Sequence, residues 1–567
     1  ASRLASWTVL AMDNPRSEDP SEIMQEIVKG FEGKNYEVIF DRREAIEKAL
    51  NLAQKDDVVL IAGKGHEDYQ IFKDRTIHFD DREVVRKYLR KVFTPQRTSP
   101  MMAFSISQIL KATGGKLISG PRQGEVLGIS TNSKKIEDGE LFIAIKGEHF
   151  DGHDFVEDVV KQGVKAVIIS KKKIKSFKTK KIDVNHHVAF IAVDDPVKAL
   201  GNLARFHRHR FSIPVIAITG SAGKTTTKEM VAKVLESRFR VLKNMGTENN
   251  FIGVPQTLLK LQPSHQVVVL EVGTNQPGDI AWLTHVVNPD IAIFTNIGES
   301  HLERLKSPEK VFEEKSQLVR GMKKTGTVIL NIDDRFLKQM LAWKRFSPKL
   351  LTFGIENPAD FQAKDIRIND RHQLEFQISE GPQFSLPTTM RENIYNALAA
   401  ICCGRICSVE YPAIVKALSQ FSSSAHRQEV HRFSHCWVID DSYNANPVSF
   451  RSAVNVLDQF PSKGKRILVC ADMLELGRQS KRLHQAMGEE ISRAKIDVIF
   501  AYGKFSEDIV KTIRKKKTSQ RTFYYRQMGA LHRRLLELCH PEDVILVKGS
   551  RGMRMEKTVE FLKEKLK

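Results

Sequence analysis

Short runs of apolar residues alternate with predicted helices along most of the chain. Between residues 213 and 385, four such runs begin at Ile213, Val267, Ile291 and Val328. Each run is almost continuously apolar, which is typical of a strand that is buried on both faces of a parallel sheet. The pattern therefore predicts a mostly parallel, doubly wound α/β sheet in this part of the chain.

The same alternation continues on both sides of this segment. Apolar runs that begin at Trp437, Ile467, Val498 and Val544 predict a second, Rossmann-like α/β domain. Residues 94–102 (TPQRTSPMM) are polar and broken by prolines, as linkers are. The predicted segments are 1–93, the linker 94–102, 103–205, 206–385 and 386–567.

The pattern near the start of the chain repeats the pattern at its end. A predicted strand at 38–41, a helix and an apolar run at 56–62 correspond to residues 524–548 at an offset of 486 residues. These residues predict a strand-helix-strand unit similar to half of the C-terminal domain. If such a half-domain has no partner to cover its sheet edge, we expect it to be prone to aggregation.

Composition narrows the class of protein. A chain of 567 residues is too long for one core, so we expect roughly three to four domains. The sequence has no apolar run of membrane-spanning length and no signal-peptide pattern. Its six cysteines lack metal-ligand spacing and indicate reduced thiols in a cytoplasmic protein.

The net charge of +21 allows two interpretations. One is nucleic-acid binding, and the other is a lysine-rich surface that serves acidic small molecules. The basic runs at 171–175 and 514–517 lack interleaved aromatic residues. This favours the second interpretation.

Residues 219–225 (TGSAGKT) follow the first apolar run of the central segment and begin a predicted helix. Gly220 and Gly223 let backbone N–H groups turn towards phosphate oxygens, and the helix N-terminus adds partial positive charge. Lys224 is expected to reach the terminal phosphates, and a following threonine is expected to hold Mg²⁺. Although the spacing is two residues shorter than the common P-loop, the segment predicts use of a nucleoside triphosphate.

Polar residues also follow other predicted strands. Glu271 ends the second central strand, Asn296 ends the third, and His301 comes five residues later. Because ligands gather at the carboxyl ends of parallel strands, these side chains suit Mg²⁺ coordination and positioning of an acidic reactant. Residues 440–447 (DDSYNANP) suit ribose hydroxyls and a polar ligand, and residues 548–554 (KGSRGMR) suit carboxylate or phosphate.

Together, these segments resemble the Mur ligases, and the resemblance covers residues 102–567. The segments that carry it are the phosphate loop, 270–280 (LEVGTNQPGDI), 296–301, 440–447, 472–477 (DMLELG) and 547–557 (VKGSRGMRMEK). YNANP and GSRGMR point to the family member that adds D-alanyl-D-alanine. The implied three-domain α/β fold has a UDP-binding domain at 103–205, a P-loop ATPase-like domain at 206–385 and a Rossmann-like ligase domain at 386–567.

The resemblance implies an ATP-dependent amide ligation in the cytoplasmic part of peptidoglycan precursor synthesis. ATP would phosphorylate the terminal carboxylate of a UDP-N-acetylmuramoyl tripeptide, and the amino group of D-alanyl-D-alanine would attack the acyl phosphate. This chemistry needs charge neutralisation and alignment more than a covalent nucleophile. The implied cofactors are ATP and Mg²⁺, and the implied protein is a monomer without a nucleic-acid partner or membrane span.

The resemblance also implies roles for individual residues. The implied catalytic residues are Lys224, Glu271, His301 and Lys315, of which Lys315 matches a lysine that becomes carbamylated. The implied metal ligands are Thr225, Glu271, His301 and Lys315. The implied ATP contacts are Thr219, Gly220, Ser221, Ala222, Gly223, Lys224, Thr225, Asn396, Arg427 and Asp441. The implied contacts of the UDP-sugar peptide are Ser133, Asn249 and Asn250, and those of the dipeptide are Asn444 and Asn446.

Three positions depart from the family pattern. Glu392 stands where a histidine is usual, Met390 replaces a glycine, and Ala471 replaces a glycine before Asp472. The first two concern the hinge between domains, and none belongs to the predicted phosphate-transfer set.

The first 93 residues resemble the last domain of a different Mur ligase, the one that adds meso-diaminopimelate. Residues 13–20 (DNPRSEDP) and 63–67 (GKGHE) match its amino-acid-binding motifs. The residues implied to hold the far carboxylate and amine of diaminopimelate are Asn14, Arg16, Gly63 and Glu67. Because this segment has no phosphate loop, we expect it to be inactive alone, and we interpret the chain as a truncated fusion of two ligases.

Two other functions stay open at this point. A ligase related to folylpolyglutamate synthase shares the phosphate loop but not the YNANP segment. A basic nucleic-acid-binding NTPase would account for the charge of +21. ATP hydrolysis that DNA or RNA stimulates would favour the NTPase.

Overall fold

The computed structural model divides the chain into two compact units, residues 1–101 and residues 102–567. The residues that it describes are 5–54, 57–65, 67–85, 88, 103–175, 187–343, 348–371, 373–422, 426–433 and 436–566. The predicted linker at 94–102 lies outside them. In these ranges, no helix combines the length and the apolar character that crossing a bilayer requires. All six cysteines fall inside these ranges and are free thiols.

The first unit contains short strands and two capped helices. Its elements are β1 (Thr8–Leu10), α1 (Pro20–Lys29), β2 (Tyr36–Val38), α2 (Arg42–Leu52), β3 (Tyr69–Ile71) and β4 (Thr76–His78). β1 pairs with β2 in parallel, and β3 pairs with β4 in antiparallel fashion. Asp19 and Asp41 begin the two helices, because each carboxylate accepts a hydrogen bond from a backbone N–H of the first turn.

The prediction of a strand at 56–62 is wrong for the residues that the structure describes. Residues 57–62 form no strand, and Val58 and Leu60 are 94% and 87% exposed. The corresponding run Val544–Lys548 is a strand because a neighbouring strand pairs with it on each side. The described part of the first unit gives residues 57–62 no such neighbours, so their apolar sequence alone does not produce a strand.

The second unit begins with a small α/β domain, here called the first domain. Its strands are β5 (Phe104–Ser105), β6 (Lys116–Ser119), β7 (Glu125–Val126), β8 (Ile129–Ser130), β9 (Leu141–Ile143), β10 (Ala166–Ser170) and β11 (Ala189–Val193). Its helices are α3 (Ile106–Thr113), α4 (Val156–Lys161) and α5 (Pro196–Arg208). The main sheet has the order β6-β11-β10-β9-β8, with only β6 antiparallel to its neighbour.

The central domain has the predicted, mostly parallel sheet. Its strands are β12 (Val215–Thr219), β13 (Val241–Lys243), β14 (Val267–Glu271), β15 (Ile291–Phe294), β16 (Thr327–Asn331), β17 (Lys349–Gly354), β18 (Phe361–Ile368), β19 (Leu374–Ile378) and β20 (Gln383–Leu386). Its helices are α6 (Lys224–Glu236), α7 (Gly253–Leu258), α8 (Asp279–Val287), α9 (Leu302–Leu305), α10 (Pro308–Lys315), α11 (Gln317–Arg320), α12 (Glu392–Ile406) and α13 (Tyr411–Ser419). The order β13-β14-β12-β15-β16-β17-β18-β19-β20 places β12 at the point where the strand order reverses, which is the usual ligand position in such sheets.

Helices α12 and α13 pack on the central sheet. Ile394, Leu398 and Ile401 of α12 share one buried cluster with Ile216 and Ile218 of β12. The predicted boundary at residue 385 assigns these helices to the following domain. Their apolar faces instead cover the central sheet, so the start of α12 lies beside the phosphate loop.

The C-terminal domain is Rossmann-like. Its strands are β21 (Glu429–Arg432), β22 (Trp437–Asp441), β23 (Arg466–Ala471), β24 (Val498–Tyr502), β25 (Arg521–Tyr525) and β26 (Val544–Lys548). Its helices are α14 (Pro447–Gln459), α15 (Ser480–Arg493), α16 (Ser506–Lys515), α17 (Met528–Leu538) and α18 (Glu556–Lys565). The order is β21-β22-β26-β23-β24-β25, with β21 antiparallel and the other strands parallel.

Candidate active site

The phosphate loop lies at the bottom of a cleft of about 890 Å³ between the central and C-terminal domains. Gly220 has φ of +154°, and a Cβ at this position would come within 1.9 Å of Thr295 Oγ1. Gly223 has φ of +77°, and a Cβ there would lie 2.7 Å from Asn396 Oδ1. Both positions therefore require glycine, for conformation and for space.

Hydrogen bonds to the end of β15 hold the loop. The N–H of Ser221 donates to the carbonyl of Asn296, and the N–H of Ala222 donates to Asn296 Oδ1 at 2.8 Å. Thr295 Oγ1 donates to the carbonyl of Ala222 at 2.6 Å. Thr219, at the end of β12, is fully buried. The loop is thus preorganised before any ligand binds.

Lys224 is the first residue of α6. Its Nζ donates to the carbonyl of Gly220 at 3.0 Å, so the ammonium group lies over the loop. Burial lowers the pKa of Lys224 from its ordinary value, and the negative charge of Glu271 opposes this shift. The position suits a cation that contacts phosphate oxygens at a helix N-terminus.

Oxygen ligands come together next to Lys224. Thr225 Oγ1 donates to Glu271 Oε2 at 2.5 Å, and Asn249 Nδ2 donates to Glu271 Oε1 at 2.6 Å. The N–H of Glu271 in turn donates to Asn244 Oδ1. A carboxylate and a hydroxyl oxygen are the ligand types that Mg²⁺ prefers, so these residues fit that ion.

His301 lines the same cleft and immediately precedes α9. Its Nδ1 is 2.7 Å from Glu475 Oε2, a residue of the C-terminal domain. Burial is the main cause that lowers the pKa of His301, and hydrogen bonding to Glu475 opposes it. Because the contact with Glu475 uses Nδ1, the Nε2 atom of His301 can bind a different group.

Lys315 is the last residue of α10 and is fully buried. Its Nζ has no hydrogen-bond partner among the residues that the structure describes. Burial, and next the positive charge of Lys224, lower the pKa of Lys315 well below its ordinary value. A buried amine that is neutral and unpaired can react with carbon dioxide, which an ammonium group cannot do.

Asn396 of α12 lies beside Gly223 of the phosphate loop and bonds to the first turn of α6. Its Oδ1 accepts a hydrogen bond from Thr227 Oγ1 at 2.9 Å, and its Nδ2 donates to Asn393 Oδ1 at 3.0 Å. On the facing wall, the Arg427 guanidinium lies 4.2 Å from the centre of the Tyr443 ring. These side chains form the end of the cleft that the sequence predicts for adenine and ribose.

Asp441 ends β22 and forms a buried ion pair. Its Oδ2 is 2.5 Å from Lys548 Nζ at the end of β26. Burial raises the pKa of Asp441, and the positive charge of Lys548 opposes this shift. The neighbouring Asp440 has a structural role, because its carboxylate accepts hydrogen bonds from Ser442 and contacts His426.

The asparagines of the YNANP segment differ in their contacts. Asn446 begins α14, where its Oδ1 accepts from the N–H of Ser449, a cap worth about 1 kcal/mol. Its Nδ2 donates to the carbonyl of Ser221 in the phosphate loop at 3.1 Å. Asn444 is exposed in the cleft, and its Oδ1 accepts from the N–H of Ala445. The YNANP segment therefore contacts the phosphate loop directly.

Only some of the residues predicted to contact the UDP-sugar peptide line this cleft. Asn250 lines the cleft, and its Oδ1 accepts from the N–H groups of Ile252 and Gly253 at the start of α7. Ser133 lies in the first domain, between β8 and β9, and is not among the residues that line the cleft. Gln256 Nε2 donates to Thr131 Oγ1 at 2.7 Å and so joins the two domains near Ser133.

Glu392, the departure from the family pattern, begins α12 and lines the cleft. Burial raises the pKa of Glu392, and the negative charge of Asp441 adds to this rise. The cleft therefore has a carboxyl group where the family usually places an imidazole.

Of the four residues in the first unit that are predicted to hold diaminopimelate, two are in contact with each other. Asn14 Nδ2 donates to Glu67 Oε2 at 3.1 Å. Gly63, with φ of +115°, faces the Arg42 guanidinium, which a Cβ would approach to 3.5 Å. Arg16 is exposed and has φ of +53°. The four predicted residues thus form one pair and two separate positions.

Several side chains that were not predicted also line the cleft, among them Asp333, Tyr395 and Glu475. Tyr395 Oη donates to Asp333 Oδ2 at 3.0 Å. Glu475 lies inside the DMLELG segment, so the sequence signal was present without an assigned role. Asp333 and Tyr395 have no comparable motif, since distant parts of the chain bring them together.

Three family models match the chain. The model described as "Mur ligase middle domain" matches residues 218–404, and the "Mur ligase family, catalytic domain" model matches residues 125–208. The "Mur ligase, glutamate ligase domain" model matches residues 1–65 and 426–551. The last model therefore matches a segment in each of the two compact units.

Curated relatives are similar over most of their length. The UDP-N-acetylmuramoyl-tripeptide–D-alanyl-D-alanine ligase of Bacillus subtilis is 34% identical over 475 residues, which cover 82% of this chain and 99% of the relative. The ligase of the same name from Escherichia coli is 33% identical over 483 residues, with 82% and 99% coverage.

Two solved structures have a fold similar to that of this chain. MurF from Acinetobacter baumannii is 31% identical, has a TM-score of 0.74, and is matched over 82% of this chain and 100% of that one. The MurF ligase of Thermotoga maritima in complex with ADP is 28% identical, with a TM-score of 0.68 and coverage of 77% and 97%. The predicted three-domain α/β fold is confirmed.

Proposed function

The chain belongs to the Mur ligase family, and on that premise we propose that it joins D-alanyl-D-alanine to a UDP-N-acetylmuramoyl tripeptide, with conversion of ATP to ADP and phosphate. The observation that carries the proposal is the hydrogen bond from Asn446 to the carbonyl of Ser221. It brings the YNANP segment, predicted to face the dipeptide, against the loop predicted to hold the ATP phosphates. The relatives from Bacillus subtilis and Escherichia coli, whose names state this activity, are 34% and 33% identical to the chain.

The first step forms an acyl phosphate. A carboxylate oxygen of the tripeptide attacks the γ-phosphorus of ATP, the bond to the bridging oxygen breaks, and ADP leaves. Lys224 and the N–H groups at the start of α6 stabilise the negative charge that moves onto the phosphate oxygens. The glycines of the loop keep the backbone close enough for these contacts.

The second step forms the amide. The amino group of the dipeptide attacks the acyl carbon, the tetrahedral intermediate loses phosphate, and the amino group loses its proton. Asn444 and Asn446 would orient the dipeptide through their amide groups. Because Asn446 caps the N-terminus of α14, its side chain is fixed in place. The dipeptide would therefore bind against a rigid surface.

Glu271, Thr225 and His301 would hold Mg²⁺ in this cleft. When bound, Mg²⁺ screens the charge of the phosphates and polarises them towards attack. The tight Thr225–Glu271–Asn249 network fixes the carboxylate in advance. Lys315, once carbamylated, would add an anionic oxygen, and its buried and unpaired amine supports this modification.

The test of the proposal is direct. The purified chain is incubated with ATP, Mg²⁺, D-alanyl-D-alanine and UDP-N-acetylmuramoyl tripeptides with either meso-diaminopimelate or lysine as third residue. We expect the pentapeptide product by mass spectrometry, with one ADP formed per amide bond. Hydrolysis of ATP that depends on DNA or RNA, or ligation of glutamate to a folate, would contradict the proposal.

We also propose that residues 1–101 are dispensable for ligation. They form a compact unit of their own, and the described residues that line the cleft all belong to the other unit. Removing residues 1–101 should leave kcat and KM within about twofold, because no described cleft contact is lost. A large loss of rate in the shortened chain, with unchanged thermal unfolding, would show that the first unit takes part in the reaction.

The first unit should have no ligase activity alone. Its described residues include the Asn14–Glu67 pair but no phosphate loop. Binding of diaminopimelate to the isolated unit, measured by calorimetry, would show whether its motif still binds an amino acid.

A further inference from the structure

Glu475 of the C-terminal domain contacts the predicted catalytic histidine, His301. Glu475 follows β23, whereas His301 precedes α9 of the central domain. Glu475 Oε2 is 2.7 Å from His301 Nδ1. The carbonyl of Glu475 also accepts a hydrogen bond from the N–H of Glu303 at 2.9 Å. Side chain and backbone of one residue therefore hold the same short segment.

The backbone at both ends of this contact is in an unusual conformation. His301 has φ of +53° and Glu475 has φ of +62°, although neither is a glycine. Side-chain-bearing residues adopt this region at an energetic cost and keep it only where the surrounding structure requires it. Gly477 shows how close the approach is, since a Cβ there would lie 2.9 Å from Glu303 Cα.

The contacts of Arg451 and Gln479 between the same two domains do not involve a predicted catalytic residue. Arg451 Nη1 of the C-terminal domain lies 3.5 Å from Glu299 Oε2. Gln479 Nε2 donates to the carbonyl of Lys306 at 2.9 Å. Both contacts hold the domains together outside the cleft. Glu475 differs because it lines the cleft together with His301.

The Glu475 side chain remains 59% exposed, compared with 23% for that of His301. A polar contact with an exposed carboxylate contributes little to stability, because water competes for the carboxylate. The contact is therefore suited to fixing the direction of the imidazole ring. A hydrogen bond to one ring nitrogen determines the orientation of the other.

We propose that Glu475 is a positioning residue for the ligation reaction, which orients His301 only while the C-terminal domain is docked on the central domain. The inference rests on the proposed function. The C-terminal domain also contributes Asn444 and Asn446, the residues predicted to face the dipeptide. The imidazole would then be aligned for phosphoryl transfer only when the domain that presents the acceptor is in place, which protects the acyl phosphate from water.

The experiment compares Glu475→Gln with Glu299→Gln in the full-length chain. Glutamine keeps the size of glutamate but loses its charge, and Glu299→Gln weakens an ion pair between the same two domains without a contact to His301. For Glu475→Gln we expect kcat to fall about 10- to 100-fold, the usual effect of losing a residue that orients a ligand, while the KM for each substrate stays within about threefold. Glu475→Asp should recover part of the rate, and Glu299→Gln should stay within about twofold of wild type.

A second measurement does not depend on activity. In protein labelled with ¹⁵N-histidine, the Nδ1 resonance of His301 should move in Glu475→Gln and remain in place in Glu299→Gln. Equal kcat values for the two variants, or an unmoved Nδ1 resonance in Glu475→Gln, would overturn the inference. A wild-type chain without ligase activity would contradict the proposed function, and the resonance would still decide whether Glu475 orients His301.

Discussion

Replacing Lys224 by alanine lowers the ligation rate at least about a hundredfold, the expected effect of removing one preorganised charge from a phosphoryl-transfer site. The Lys224 ammonium group is held over the loop by the carbonyl of Gly220 and is near Glu271. Without it, the negative charge that develops on the γ-phosphate loses its nearest cation. The measurement is steady-state release of ADP with all three substrates present.

The matched control for this prediction is Lys233→Ala. Lys233 belongs to the same helix as Lys224 but lies near its other end and outside the cleft. Its removal should leave the rate within about twofold. A Lys224→Ala protein that retains a near-normal rate would show that the loop is not catalytic.

Replacing Lys315 by alanine should cause a comparable loss, also about a hundredfold or more, if the lysine acts as a carbamate. The variant lacks both the buried amine and the anionic oxygen formed from it. A small carboxylate such as formate or acetate should occupy the vacated space and restore part of the rate. Lys310→Ala, an exposed position on the same helix, is the control and should behave like wild type.

The pH dependence follows from the direction of the pKa shift. Carbon dioxide adds to the neutral amine, and burial lowers the pKa of Lys315, so more of this amine is in the reactive form at a given pH than for an exposed lysine. As the pH falls through this lowered pKa, the amine takes up a proton and the carbamate is lost. A ¹³C resonance that appears with labelled bicarbonate, is absent from Lys315→Ala and weakens on acidification would verify the modification. Full activity of Lys315→Ala without added carboxylate would contradict it.

The sequence predicts best what depends on neighbouring residues. The loop at 219–225 is specified by a strand, two glycines and a helix start that are consecutive in the chain. Its position beside Glu271 and Asn296 follows from parallel strands that end at one edge of the sheet. Consecutive residues, together with the rule that parallel strands end at one edge of the sheet, therefore suffice to predict this part of the site.

Features that depend on distant residues are not predicted. The apolar run at 57–62 has the composition of a strand, and only the pairing of its counterpart Val544–Lys548 with strands on both sides explains why the two differ. The burial of Lys315 and the contact between Glu475 and His301 likewise depend on packing between separate elements. The sequence alone does not distinguish a solvent-exposed lysine on a helix from a buried, reactive one.

The packing of α12 on the central sheet has a consequence for the order in which substrates bind. Asn396 lies on a helix whose apolar face is part of the central core, and it bonds to Thr227 in the first turn of α6, next to the phosphate loop. If Asn396, Arg427 and Asp441 contact the nucleotide as we predict, the Asn396 side of the site needs no contribution from the C-terminal domain. Since preorganised groups cost little to order on binding, ATP would then be able to bind first. Arg427 and Asp441 would be contributed by the domain that presents the acceptor, so that bound nucleotide would favour assembly of the reactive complex.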